Sequence, residues 1–85
     1  MRLFETSKFQ KLRKKLKDED ERDPLREAVL RVAEEPEAGK KLKGEFRDLR
    51  SFRFTVRGQP CRLIYKLDKD AVVLFSFGPR QGIYK

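Results

Sequence analysis

The chain has 85 residues, with 22 Lys and Arg against 14 Asp and Glu, a formal net charge of +8, one Cys and no His. That length suits one small domain, residues 1–85, with a thin core in which seven Phe and two Tyr supply much of the buried area. The lack of His excludes Ser-His-Asp and Cys-His catalysis and most zinc sites, and a lone Cys excludes an internal disulfide.

In chain order, residues 2–5 (RLFE) predict a short first strand. Ser7 then reads as a helix N-cap, with Gln10 completing a capping box. Phe9, Leu12 and Leu16 recur at the spacing of an amphipathic helix. The run DEDERD at 18–23 reads as a solvated turn. Asp23 as cap and Pro24 at the first helical position start a second helix, whose buried face is Leu25, Ala28, Val29, Val32 and Ala33. Pro36 and Gly39 end it. The two helices are expected to form an antiparallel pair.

GKKLKG at 39–44 is basic and glycine-bounded, but its spacing is not that of a phosphate-binding P-loop. It leads into the strands and suits a phosphate contact. Residues 46–50 could add part of a strand. The apolar period then becomes two over 52–57, 61–67 and 71–77, three strands joined by turns at Gly58-Gln59 and Asp68–Asp70. The fold class is α+β, a helix pair on one face of a small, mainly antiparallel twisted sheet.

Aligning the apolar faces pairs Val56 with Cys61 and Leu67 with Ala71. Thr55 then lies across from Arg62, and Arg62 across from Ser76. The helices are expected on the face bearing Phe52, Phe54, Leu63, Tyr65, Val73 and Phe75. The opposite face has a polar end (Arg53, Thr55, Arg62, Ser76) and an apolar end (Ile64, Val72, Leu74). The apolar end would be an exposed patch unless a partner or a terminal segment covers it.

The acidic residues gather mainly in 18–23 and 34–37 and look like solvated charge. Basic residues remain, and surplus positive charge suits a polyanion. Arginine is a forked, permanent cation and suits stabilisation of a charged phosphorane. It is a poor proton carrier at neutral pH, so such a site needs help from positioning. No apolar run is long enough to span a bilayer, and MRLFETSKFQ lacks the apolar stretch of a secretory signal. The expected location is the cytoplasm, with no membrane partner, metal or small-molecule cofactor.

Leu42-Lys43-Gly44, the strand Arg53, Arg62-Leu63-Ile64-Tyr65, and Gly78-Pro79-Arg80 followed by Ile83-Tyr84 form an ordered set. With the helix pair, it resembles the RelE/ParE superfamily of toxin–antitoxin systems over nearly the whole chain. The resemblance implies a RelE-like, microbial ribonuclease-like fold. It also implies a metal-independent endoribonuclease that cuts translated mRNA on the ribosome, by 2′-hydroxyl attack on the adjacent phosphate. By the same resemblance Arg53 helps to activate the 2′-hydroxyl, Arg62 stabilises the phosphate charge, Arg80 serves the general-acid step, and Tyr84 stacks on a base. Lys41, Lys43, Arg50, Thr55, Arg57 and Ser76 would contact RNA or ribosome. An adjacently encoded, acidic antitoxin would cover Ile64, Val72 and Leu74. Thr55 departs from the pattern, standing where some members carry a second strand lysine. The alternatives are a ParE-like poison of DNA gyrase and a catalytically inactive RNA- or protein-binding relative.

Overall fold

The computed structural model describes residues 2–79. Its sheet has five strands: β1 Arg2–Glu5, β2 Lys40–Lys41, β3 Leu49–Val56, β4 Gln59–Asp68 and β5 Ala71–Pro79. Their order is β1-β5-β4-β3-β2, with β1 parallel to β5 and every other pair antiparallel. Helices α1 (Ser7–Lys14) and α2 (Glu19–Glu34) pack on one face, α1 over β5 and α2 over β3 and β4. This is the expected α+β architecture.

The core forms where the apolar stripes of the helices meet that face. Phe9, Leu25, Ala28 and Val32 pack with Leu63, Tyr65, Val72 and Leu74, and Phe52, Phe54, Leu67 and Phe77 close around them. Phe9 and Phe77 meet edge-on, ring centroids 5.3 Å apart, a favoured aromatic geometry.

Both helix starts differ from expectation. Thr6, not Ser7, caps α1: its hydroxyl accepts from the Phe9 amide at 3.2 Å and donates to the Phe75 carbonyl at 3.0 Å. A residue that caps a helix and also anchors a strand outcompetes a neighbour that only caps. DEDERD is the beginning of α2, not a turn: the helix starts at Glu19, so Pro24 lies inside it. Three acids in the first turn offset the missing proline N–H by stabilising the positive end of the helix dipole.

The first hairpin turns at Arg57-Gly58 rather than Gly58-Gln59, with φ of 51° and 80°. Two positive φ values in a two-residue loop define the primed turn that matches strand twist. Val56 therefore pairs with Gln59, Thr55 with Pro60, and Arg53 with Arg62. In the second hairpin β4 runs on through Asp68, which pairs with Ala71, and Leu67 pairs with Val72.

A bulge then interrupts β5. Ile64 pairs with Ser76 but Tyr65 pairs with Leu74, leaving Phe75 as the extra residue. One extra residue reverses which side chains point to which face. Val72 and Leu74 thus belong to the helix-covered core, 0% and 2% exposed, and not to the open face. Val73 pairs with Lys66 and so faces away from the helices, again opposite to expectation. Thr6 bonds the carbonyl of the bulged residue itself.

Behind β2, Tyr65 locks the connection from α2. Its hydroxyl donates to the Pro36 carbonyl at 2.6 Å and accepts from the Gly39 amide at 2.9 Å. Gly39 has an ordinary extended backbone (φ −77°), so glycine is needed there for space: a β-carbon would lie 2.7 Å from Tyr65 Cε1.

Candidate nucleic-acid interface

The face opposite the helices is built in rows set by strand register. Arg53 on β3 lies across from Arg62 on β4, which lies across from Gly78 on β5. The next row is Lys40, Ser51, Ile64 and Ser76. Beyond Arg53, Thr55 faces Pro60 at the hairpin end. Arg53 and Thr55 are exposed, Arg62 is half-buried, and Ser51, Ile64 and Ser76 are buried.

Lys40, Lys41, Leu42, Lys43, Ser51, Arg53 and Arg62 line a hollow of about 210 Å³. Two features shape its wall. The Leu42 amide donates to the Leu49 carbonyl at 3.1 Å, closing the loop between β2 and β3. Gly44 takes a left-handed φ of 69° that turns this loop beside Lys43. Like charges directly opposite across two strands repel, and an anion between Arg53 and Arg62 would turn that repulsion into attraction. The hollow therefore suits a phosphate, with arginine forks as donors.

The structure sorts the remaining basic residues. Arg50 pairs with Tyr65 on the helix side, and its guanidinium donates to the Gly39 carbonyl at 2.9 Å and the Glu37 carbonyl at 3.5 Å. It braces the segment that leads into β2. Arg57 donates to Asp18 Oδ2 at 2.7 Å, which draws it toward the start of α2. This hydrogen bond, with the surrounding acids, raises the Arg57 pKa further. Lys41 pairs with Arg50, whereas Lys40 pairs with Ser51 and shares the row beside the arginines. Lys40 was hidden to sequence reading because a two-residue strand shows no alternation. Arg80 and Tyr84 lie outside the described residues.

Of the expected apolar patch, only Ile64 stands on the open face, and it is 2% exposed. A different apolar groove lies between the helices and the β1–β5 edge, about 550 Å³ in volume. Phe9, Leu25, Val29 and Leu30 contribute apolar surface, and Arg13, Lys14, Arg22 and Arg26 contribute charge. Leu30 is 53% exposed there. Its one acid, Glu5, is held in a fork by Arg13 at 2.6 and 3.1 Å.

Among the described residues no group of three or more His, Cys, Asp and Glu is placed to hold a metal. None of the helices there is long and apolar enough to cross a membrane. Cys61 is a free, buried thiol, its pKa raised by desolvation.

A helix pair on one face of a mixed five-stranded sheet matches the fold of solved RelE toxins. A sequence model of the ParE-like toxins of type II bacterial toxin–antitoxin systems matches residues 3–85, and the chain belongs to that family. No curated protein matches it by sequence. Among solved structures, the isolated E. coli RelE toxin is similar with a TM-score of 0.72 and 28% identity, covering 98% of this chain and 89% of that one. A chain of the intact E. coli RelBE toxin–antitoxin complex gives 0.73 and 26%, covering 94% and 96%. The RelBE2 toxin–antitoxin complex of Mycobacterium tuberculosis gives 0.71 and 24%, covering 93% and 96%, a likeness of fold.

Proposed function

We propose that this toxin is a ribosome-dependent endoribonuclease that cuts translated mRNA in the cytoplasm. The observation that carries this reading is the placement of Arg53 opposite Arg62, with Lys40 and Lys43 on the same hollow. Likeness to E. coli RelE over 98% of the chain supports it.

In the proposed reaction the 2′-hydroxyl attacks the adjacent phosphate, passes through a dianionic phosphorane and expels the 5′-oxygen. Arg62 and Arg53 stabilise the charge gathered on the phosphorane oxygens. Arg53 also lowers the pKa of the attacking hydroxyl by its field. Arg80 assists protonation of the leaving oxygen, and Tyr84 stacks on a base to hold the bond in line. Lys40 and Lys43 grip neighbouring phosphates. None of these groups is an efficient base at neutral pH, and Thr55 supplies none. Alignment on the ribosome carries the remaining share of the rate.

The partner that silences the toxin is an antitoxin with an acidic, amphipathic segment. The groove between the helices suits it, with an apolar floor and four cationic side chains. The solved likenesses include toxin–antitoxin complexes and an arginine double mutant of E. coli RelE bound to an antitoxin peptide.

The test is mapping of mRNA 5′ ends after induction in cells, beside Arg62→Ala. Codon-spaced new ends within translated regions, lost in the variant, are expected. Growth arrest without new ends, accompanied by gyrase-dependent DNA breaks, would replace this reading with a gyrase poison. Neither arrest nor cleavage would point to an inactive relative.

A further inference from the structure

Ser51 lies within β3 and is 7% exposed. Among the described residues, its Oγ is the buried side-chain polar atom that has no hydrogen-bond partner. Folded proteins leave few such atoms stranded, and each asks for a reason. Nothing in the fold needs this hydroxyl, since alanine would fill the same place in the strand.

Its surroundings supply the reason. Ser51 lines the basic hollow, two residues from Arg53 on the same face and directly across from Lys40. Lys40, Lys41, Lys43, Arg53 and Arg62, which share that lining, offer only donors through their side chains. A hydroxyl among cations finds its natural acceptor in an anionic oxygen. On its other side stands Ile64, 2% exposed, whose apolar bulk keeps water away. A hydrogen bond made there is stronger than one made in water.

We propose that Ser51 is a substrate-contacting residue, its hydroxyl donating to a phosphate oxygen of RNA held between Arg53, Arg62 and Lys40. The assignment rests on the ribonuclease reading above and adds a neutral donor to a site otherwise composed of cations. Such a donor senses the position of a phosphate oxygen and not merely its charge.

Two readouts test this together. The first is anisotropy of the full chain with a short fluorescent single-stranded RNA, 2′-O-methylated so that it cannot be cut. The second is the thermal midpoint. Ser51→Ala is expected to bind about tenfold more weakly, as for loss of one hydrogen bond to a charged acceptor. Its midpoint should stay level or rise, because a stranded polar atom has been removed. Normal binding by Ser51→Ala, with weakened binding by Arg62→Ala, would overturn the assignment and leave the site intact. Equal binding by all three chains would remove the ribonuclease site itself, and Ser51 with it. A lower midpoint together with weaker binding would show a structural role and also overturn the proposal.

Discussion

Removing one oxygen from the core, by Tyr65→Phe, should destabilise this protein far more than its size suggests. The ring stays, so no cavity opens in a side chain that is 0% exposed. What goes is a hydroxyl serving two backbone groups, the Pro36 carbonyl at 2.6 Å and the Gly39 amide at 2.9 Å. Each hydrogen bond contributes about 1 kcal/mol net, and an amide left stranded in the interior adds about 1 kcal/mol or more. The sum is about 3 kcal/mol, which for a chain of this size lowers the thermal midpoint by about 12–24 °C. Circular dichroism during heating, with urea unfolding beside it, measures this. The same substitution carries a pH signature. Burial pushes the Tyr65 phenol above its ordinary 10.0, opposed by the Gly39 hydrogen bond and the Arg50 charge. A raised folded-state pKa favours the neutral phenol in the fold. That contribution is fully present below pH 10 and is lost as pH climbs through the folded-state value, because the unfolded chain ionises first. The wild type should therefore weaken above pH 10, and Tyr65→Phe should weaken less steeply. A midpoint drop under about 4 °C would mean that the hydroxyl does not hold the segment leading into β2.

Two further outcomes follow from other parts of the molecule. Pro24→Ala should stabilise by about 2 kcal/mol in urea unfolding, because it restores a helical donor to the Asp20 carbonyl while giving the unfolded chain some freedom back; a loss of stability would show that α2 depends on proline at that turn. Reversing charge at the groove with Arg22→Glu and Arg26→Glu together should slow association of the antitoxin at least tenfold at low salt, with a smaller effect at high salt; unchanged rates measured by surface plasmon resonance would move the antitoxin elsewhere.

The helices, the three long strands and the two-faced sheet were legible because period and composition agree there. Leu25, Ala28 and Val32 mark the buried side of α2 wherever the helix begins. Register was less legible. Alternation over 71–77 reads equally well in either parity, and the choice between them is made by a bulge at Phe75. The bulge is stabilised by Thr6, a residue 69 positions away, and no local pattern reports such a bond. The turn at Arg57-Gly58 was missed for a related reason: an arginine at φ 51° is uncommon, and its guanidinium is held by Asp18, again distant in sequence. Arg53 and Arg62 were correctly placed on one face, since a strand's own alternation survives an error in pairing. Their position directly opposite one another was not visible, because it follows from where the hairpin turns. Of the basic residues, Arg50 and Lys40 show what pattern alone misses: the first braces backbone carbonyls behind the sheet, and the second shares a row with Ser51.

The parallel seam between β1 and β5 also sets an order of assembly. Arg2–Glu5 leave the ribosome before the other four strands, yet their partners are Ala71–Leu74. The hairpins of β3, β4 and β5 close over a few residues, whereas β1 must wait for almost the whole described chain. Closing so long a loop is slow, but its entropic penalty grows only with the logarithm of length. The Thr6 bond to Phe75 belongs to that last step. During synthesis, then, the strand made before the other four described strands is the last that can be seated.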